Sequence, residues 1–147
     1  MFRENRERPC FDFPGISVIT PKQSGRNIVA VHHGIDPRVE YDDGDFHVFR
    51  VVANIAIYDW EDTHNEAPLE EFDPPIEIRV AYHLIDLVKS DFNLDILKLA
   101  YWNGNLRKWH ILNRQVDKYE IFPPSTGQFA QARIVNWYGD PPIAWGR

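Results

Sequence analysis

Hydrophobic and polar residues alternate along much of this chain with the two-residue period of β-strands. The clearest case is residues 76–82, where Ile76, Ile78, Val80 and Tyr82 alternate with Glu77, Arg79 and Ala81. Successive side chains of a strand point to opposite faces, so this segment is predicted to be a strand with one buried face.

Residues 46–58 form the most β-prone run of the chain. One face would carry the apolar side chains of Phe49, Val51, Ala53, Ile55 and Ile57. A run of this length exceeds the usual strand, which predicts a bulge or bend near Arg50.

Turn-forming residues separate several further β-prone segments. Asn103-Gly104 is the strongest two-residue hairpin signal, and residues 41–45 (Tyr-Asp-Asp-Gly-Asp) form another turn signal. Additional strands are predicted at 16–20, 27–33, 96–102, 108–112, 118–122 and 129–137. Helical spacing of Leu84, Leu87 and Val88 predicts a helical turn within residues 83–93.

These elements predict an all-β fold, with about seven to nine strands and at most one short helix. Strands in that number bury their apolar faces by packing as two antiparallel layers, here an immunoglobulin-like sandwich. A chain of 147 residues is expected to form one domain, 1–147. Within it, 1–14 is predicted as an irregular arm, 59–75 as a long acidic loop and 139–147 as a tail.

Three phrases in residues 72–112 carry a resemblance to a known family. They are F-x-x-P-I-x-I-x-V-x-Y over 72–82, L-x-L-x-Y-W-x-G over 97–104 and K-W-x-x-L over 108–112. The segment resembles ZU5-like and related immunoglobulin-like β-sandwich modules of bacterial multidomain proteins. That resemblance implies a sandwich fold and a role as a spacer, interaction or accessory domain. It implies no catalytic residues.

Charge and composition narrow the classes of partner. The net charge of −6 argues against broad non-specific binding of nucleic acid. Eight acids and no Lys or Arg occur in 51–78, whereas 107–147 holds six basic residues against three acids.

No apolar run approaches the roughly 18 residues that would suggest a membrane span. Cys10 is the only cysteine, which excludes an intrachain disulfide.

The first ten residues lack the apolar core of a secretory signal peptide. The chain is therefore expected either to stay in the cytoplasm or to have lost a leader, and its compartment stays open.

Two acidic segments are candidates for binding a cation. Asp59, Glu61 and Asp62 could supply carboxylate oxygens to a calcium ion, although a solvated acidic loop is the favoured interpretation. Residues 42–45 could bind a divalent ion through their Asp side chains. The favoured interpretation is a hairpin turn in which these side chains hydrogen-bond their own backbone. The adjacent histidines His32 and His33 face opposite sides of a strand, which disfavours a shared metal site. No other cofactor is predicted.

Exposed aromatic side chains are the candidate ligand-binding residues. Trp102 lies beside the predicted hairpin, and Trp137 and Trp145 lie near the C-terminus. Exposed Trp rings stack on sugar faces or on peptides.

No serine lies in a Gly-x-Ser-x-Gly context, and no glycine-rich phosphate loop occurs. The leading hypothesis is a non-enzymatic interaction or structural module. It would bind a protein partner or assemble with itself, either by strand addition at a sheet edge or by its acidic loop meeting its basic C-terminal third. The alternatives are a carbohydrate- or ligand-binding module and a metal-dependent enzyme.

Overall fold

The computed structural model describes residues 9–34, 43–61 and 67–147. These residues contain ten strands and one short helix. The strands are β1 (Cys10–Phe13), β2 (Ile16–Ile19), β3 (Ile28–His33), β4 (Val48–Asp59), β5 (Glu71–Ala81), β6 (Lys98–Asn103), β7 (Lys108–Ile111), β8 (Glu120–Ile121), β9 (Phe129–Asn136) and β10 (Pro142–Gly146). The helix α1 (Leu84–Lys89) connects β5 to β6.

The strands form two sheets of five, and every neighbouring pair is antiparallel. The first sheet has the order β1-β2-β5-β9-β8, and the second has the order β3-β4-β10-β6-β7. One apolar core joins side chains of both sheets, among them Ile78, Ile55 and Leu99. The prediction of an all-β, two-layer antiparallel sandwich with one short helix is confirmed. The immunoglobulin-like subtype stays a prediction.

The two strongest strand predictions are confirmed, but the predicted face of the 46–58 run is wrong at Val51, which packs against the cluster of Phe46 and Trp109 while Val52 lies in the main core. Ile76, Ile78, Val80 and Tyr82 are all buried in the core. In β4 the register against β10 shifts twice, because Ala53 lies opposite Ile143, Val51 opposite Ala144 and Val48 opposite Gly146. These irregularities lie on either side of Arg50, as the length of the run predicts.

The predicted tail is wrong for residues 142–146. Strand β10 lies between β4 and β6, and Ile143 and Trp145 are fully buried. Two prolines preceding this segment suggested an end of structure. A proline is nevertheless tolerated as the first residue of a strand, and Pro142 holds that position.

Two other boundaries also need correction. The predicted irregular arm includes β1, because Gly15, with a φ of 80°, allows a tight turn that pairs Cys10–Phe13 with β2. The predicted acidic loop ends before Glu71, since β5 already begins there. A register shift against β9 between Glu71 and Ile76 accommodates the proline pair inside β5.

Candidate functional site

An open two-layer sandwich has four edge strands, here β1 and β8 in the first sheet and β3 and β7 in the second. Backbone N–H and C=O groups along such an edge are available to pair with another chain. Natural proteins protect their edges with charges, prolines, very short strands or covering groups. The four edge strands therefore differ in how easily another strand could pair with them, depending on which of these protections each one has.

Strands β7 and β8 are both protected. In β7 the N–H of Trp109 donates to Oδ2 of Asp43 at 2.7 Å, and Lys108 adds an exposed charge. Strand β8 has only two residues, one of which is the exposed Glu120. Neither strand offers a continuous edge to a partner.

The Asp43 side chain that protects β7 also accepts hydrogen bonds from backbone amides of its own turn. Its Oδ1 accepts from the N–H groups of Asp45 at 2.8 Å and Phe46 at 3.1 Å. Burial opposes ionisation of Asp43, but the amide hydrogen bonds from Trp109, Asp45 and Phe46 and the charge of Lys108 outweigh it and lower its pKa. The favoured interpretation of this turn, in which Asp bonds its own backbone, is confirmed at Asp43.

Strand β1 is short and bounded by prolines. Its four residues lie between Pro9 and Pro14, and prolines cannot donate to a strand ladder. The exposed Asp12 accepts from Oγ of Ser17 at 2.6 Å. This edge is protected by its length, its prolines and its carboxylate.

Strand β3 lacks the charges, the prolines and the short length of the other edges, although it is partly covered, since Ile28 and Ala30 are each 4 % exposed and the rings of Phe13 in β1 and His32 lie 5.8 Å apart. Its six residues, Ile-Val-Ala-Val-His-His, include no Lys, Arg, Asp, Glu, Pro or Gly. Ile28 and Ala30 are buried in the core, so the alternating side chains of Val29, Val31 and His33 lie on the outer face of the second sheet. A β-branched, uncharged edge of this kind is suited to pairing with another strand.

The hydrogen bonds of the neighbouring strand show which groups of β3 point outward. The N–H of Trp60 donates to the carbonyl of Asn27 at 3.0 Å, so the backbone groups of Asn27 face β4. Directions alternate along a strand, so Val29, Val31 and His33 also face β4. The N–H and C=O groups of Ile28, Ala30 and His32 consequently face away from the sheet. Within the described ranges no strand pairs with this side of β3.

Side-chain contacts hold both ends of β3 in place. At the N-terminal end, Nε of Arg26 lies 2.7 Å from Oδ2 of Asp59, and the N–H of Asn27 donates to Oε2 of Glu61 at 2.7 Å. At the other end, Nε2 of His33 lies 3.1 Å from the hydroxyl of Tyr58. An edge fixed in this way loses little freedom when a partner binds.

These contacts also show what two of the predicted calcium ligands do. Asp59 pairs with Arg26 and accepts from the N–H of Glu61 at 2.9 Å. The Glu61 carboxylate accepts a hydrogen bond from the N–H of Asn27. Asp62 lies outside the described residues. Within the described part of the chain, no group of three or more His, Cys, Asp or Glu side chains is placed to hold a metal ion. A calcium site stays a prediction.

The three predicted ligand-binding tryptophans differ in exposure. Trp145 is 0 % exposed and Trp137 is 3 % exposed, so the expectation that they present exposed rings is wrong. Trp145 lies in an interior strand, and Trp137 packs its ring edge-on against Phe72 and Tyr101. Trp102 is half-buried, with its ring centroid 5.4 Å from that of Trp109.

Trp102 belongs to a small aromatic surface that sequence reasoning described only in part. A methyl group placed on Gly104 would lie 3.6 Å from Cδ1 of Tyr138 and 3.8 Å from Nε1 of Trp102. The half-exposed Tyr138 and the half-buried Trp102 therefore both lie beside the hairpin glycine. The Asn103-Gly104 hairpin signal pointed to this place, but Tyr138 comes from a distant part of the sequence.

A second exposed apolar surface surrounds α1, and sequence reasoning missed it. Leu84, Ile85, Val88 and Phe92 all expose about half or more of their surface. Asp91 and Phe92 both have a φ of 57°, which ends the helix and turns Phe92 outward. The signal was the i, i+4 spacing of Leu84 and Val88, which places them on one face of α1, whereas Phe92 lies beyond the end of the helix. Sequence alone did not reveal that this face points to solvent.

A polar cluster beside β6 and β7 has a structural role. Nε2 of His110 lies 3.2 Å from Oδ2 of Asp117, which also accepts from the N–H of Asn113 at 2.7 Å. Tyr101 packs on His110 and donates to the carbonyl of Asn136 at 3.1 Å. Burial, with a smaller effect of the Asp117 charge, raises the pKa of Tyr101 to about 12, so the phenol stays protonated. These contacts tie β6 to the end of β9 and β7 to the turn that contains Asp117.

One open groove of about 550 Å³ lies beside this cluster, lined by Leu94, Leu112, Tyr119 and Ile121 among others. Its lining includes one carboxylate, Asp95, and no histidine or cysteine.

Comparisons with models of protein families, with curated proteins and with solved structures found no match to this chain. In the described residues, no helix is both long enough and apolar enough to cross a membrane.

Proposed function

We propose that this chain is a non-enzymatic interaction module that binds an extended segment of a partner as an added strand at the outer edge of β3. The observation that carries this proposal is the contrast among the four edges. β1, β7 and β8 are shortened, charged or covered, whereas β3 is six residues long, contains no Lys, Arg, Asp, Glu or Pro, and has no second strand beside it among residues 9–34, 43–61 and 67–147.

Strand addition obtains affinity from main-chain hydrogen bonds and specificity from alternate side chains. Pairing would use the outward N–H and C=O groups of Ile28, Ala30 and His32, and the 4 % exposure of Ile28 and Ala30 means that a partner must displace the groups that cover them. A net hydrogen bond contributes about 0.5–1.5 kcal/mol, while association costs roughly 4–15 kcal/mol. Short peptides are therefore expected to bind weakly, and a partner must add side-chain contacts with Val29 and Val31.

The resemblance of residues 72–112 to ZU5-like modules supports the same proposal. Those modules serve as spacers and interaction domains. The matched positions lie in β5, β6 and β7 and the connections between them, so they build the scaffold and leave β3 outside the resemblance.

A peptide titration tests the proposal. The probe is an uncharged Thr-Val alternating octapeptide flanked by lysines for solubility, added to the isotopically labelled chain. We expect amide chemical-shift changes centred on Ile28, Ala30 and His32, because these groups would gain partners. The control is the same peptide N-methylated at every residue, which cannot donate. Unchanged β3 amides in a monomeric sample, or equal changes with the methylated peptide, would contradict strand addition.

A second candidate function is carbohydrate binding, favoured by the pair of Trp102 and Tyr138 around Gly104. Two aromatic side chains on one surface suit stacking on sugar rings. On a glycan array we expect any bound sugar to be lost in Trp102→Ala and kept in Trp60→Ala, because Trp60 is exposed elsewhere. An array without binding, or equal loss in both variants, would remove this candidate.

A further inference from the structure

We infer that Trp102, Gly104 and Tyr138 form a binding site for one ring of a neutral sugar, with the backbone of Gly104 as its floor. This Gly104 site rests on the second candidate function, carbohydrate binding. It assigns that function a position for the sugar ring, a residue that makes room for the ring and a class of sugar.

The connection between β6 and β7 does not require a glycine at position 104. The φ of Gly104 lies outside the left-handed region, whereas four other glycines of the described residues have φ values between 65° and 81°. The side chain of Asn103 holds the connection, since its Oδ1 accepts from the N–H groups of Asn105 and Leu106, both at 3.0 Å. An alanine could therefore adopt this backbone.

Packing does not require a glycine there either. A β-carbon at position 104 would lie 3.6 Å from Cδ1 of Tyr138 and 3.8 Å from Nε1 of Trp102, which are ordinary contact distances. The effect of the glycine is therefore to leave open a space that these two aromatic side chains border. Glycine serves in this way where a backbone approaches a ligand closely.

The two aromatic side chains are accessible, and Trp102 is held in place. Tyr138 is 48 % exposed, Gly104 is exposed and Trp102 is half-buried. The ring of Trp102 meets that of the buried Trp109 at 72°, and Trp109 packs in turn on Phe46, with ring centroids 5.3 Å apart. Part of the Trp102 ring thus stays available on a firm support.

Glu70 fixes the backbone on both sides of Tyr138. Its carbonyl accepts from the N–H of Trp137 at 3.0 Å, and its carboxylate accepts from the N–H of Gly139 at 3.0 Å. A site whose side chains are already positioned loses little freedom when a ligand binds.

Charges around the site favour a ligand without charge. Arg107 and Lys108 follow Gly104 closely in the chain and oppose a cation, although an aromatic pair could otherwise hold one. Glu70, Asp140 and the net charge of −6 oppose an anion, such as an acidic sugar. A neutral pyranose avoids both repulsions and can stack an apolar face on the aromatic rings.

A methyl group at position 104 is expected to block the site without disturbing the fold. Its carbon would project about 1.5 Å from the backbone. A gap of about 0.5–1 Å already forfeits a quarter to a half of a van der Waals attraction, so Gly104→Ala should raise the Kd for a sugar roughly fivefold or more. The thermal midpoint should stay the same or rise, because alanine restricts the unfolded chain.

The first experiment titrates the isotopically labelled chain with methyl β-D-glucopyranoside, with methyl β-D-galactopyranoside and with any neutral sugar that the glycan array retains. We expect chemical-shift changes centred on Trp102, Gly104 and Tyr138, and weaker binding by Gly104→Ala. Gly34→Ala is the matched control and should bind as the wild-type chain does. Gly34 also lacks a left-handed φ, and a β-carbon there would meet no described atom within 4 Å.

The second experiment tests the two features that define the ligand. Tyr138→Phe should keep binding, because the ring remains, whereas Tyr138→Ala should lose it. The methyl β-glycosides of glucosamine and glucuronic acid should each bind about threefold more weakly than the neutral glucoside, because each meets a charge of its own sign.

The outcomes separate this site from the function on which it rests. Sugar binding that is lost in Trp102→Ala but unchanged in folded Gly104→Ala overturns the inference and leaves the carbohydrate candidate in place. A charged glycoside that binds as tightly as the neutral one also overturns it. No binding of any sugar overturns both. If Gly104→Ala does not fold, the Tyr138 variants decide, and equal effects of Tyr138→Phe and Tyr138→Ala would contradict stacking at this site.

Discussion

Replacing Trp145 with alanine is expected to lower the free energy of unfolding by about 3–5 kcal/mol. The side chain is fully buried, and its Nε1 donates to the carbonyl of Ala81 at 2.9 Å. Its ring also meets Tyr82 edge-on, with centroids 6.0 Å apart. Domains of this size are stable by only about 5–15 kcal/mol, so this loss removes much of the total.

Chemical denaturation of the two proteins measures the difference. Trp145→Phe should lose less, because the ring volume is largely kept while the hydrogen bond to Ala81 is lost. Trp60→Ala is the control, since that side chain is 67 % exposed and surface substitutions usually stay within about 0.5 kcal/mol. Similar midpoints for Trp145→Ala and Trp60→Ala would show that β10 does not anchor the sandwich.

Asp86→Ala is expected to have the second largest effect, about 2–4 kcal/mol. Asp86 is fully buried, and its two carboxylate oxygens accept from Nε and Nη2 of Arg50 at 2.8–3.1 Å. Its Oδ2 also accepts from the N–H of His83 at 2.8 Å, at the start of α1. Breaking a buried pair costs about 3–5 kcal/mol, and the partial exposure of Arg50 reduces this figure.

A double-mutant cycle with Arg50→Met measures the coupling between the two side chains by chemical denaturation. The double variant should lose less than the sum of the single variants, because neither partner is then left buried without the other. Lys108→Ala is the control, as its contact with Asp45 at 3.4 Å is exposed on both sides and such pairs contribute little. Additive losses in the cycle would show that the Arg50–Asp86 contact does not hold α1.

These two sites also separate stability from the proposed function. Both lie at or near the end of β4 that adjoins α1, whereas β3 pairs with residues 54–59 at the other end. Pairing at β3 should therefore persist in Asp86→Ala as long as that variant is folded. The apolar surface around α1, including Phe92, should become more mobile in the same variant.

Much of the secondary structure of this protein could be predicted from local sequence patterns. Alternation identified the buried face of β5, and the length of the run at 46–58 identified the irregularities of β4. Asn103-Gly104 marked the place of the turn between β6 and β7, but the predicted two-residue hairpin is wrong, since Asn103 pairs with Lys108 and residues 104–107 form the connection. Each of these signals depends on neighbours within a few positions. A strand at 27–33 was predicted in the same way, and β3 occupies 28–33.

The candidate site could not be predicted in this way, because an edge strand is defined by the lack of a hydrogen-bonded neighbour on one side. β3 is an edge strand because β4 pairs with β10 on its other side, and β10 lies almost a hundred residues away in the chain. The same long-range pairing buries Trp145, which local turn signals placed in a tail. The protection of β7 likewise needs Asp43, whose contact with Trp109 spans 66 positions.

The sequence by itself therefore determined the all-β class, the single short helix and the buried face of residues 76–82, whereas the bulges of β4 moved Val51 to the opposite face from the one predicted. These three properties follow from backbone periodicity and turn chemistry, which operate over short distances along the chain. Only the tertiary structure decided the order of strands within each sheet, which tryptophans are exposed and which edge is left open. These properties depend on which distant segments bury one another, and the pattern of any single segment is compatible with many such partners.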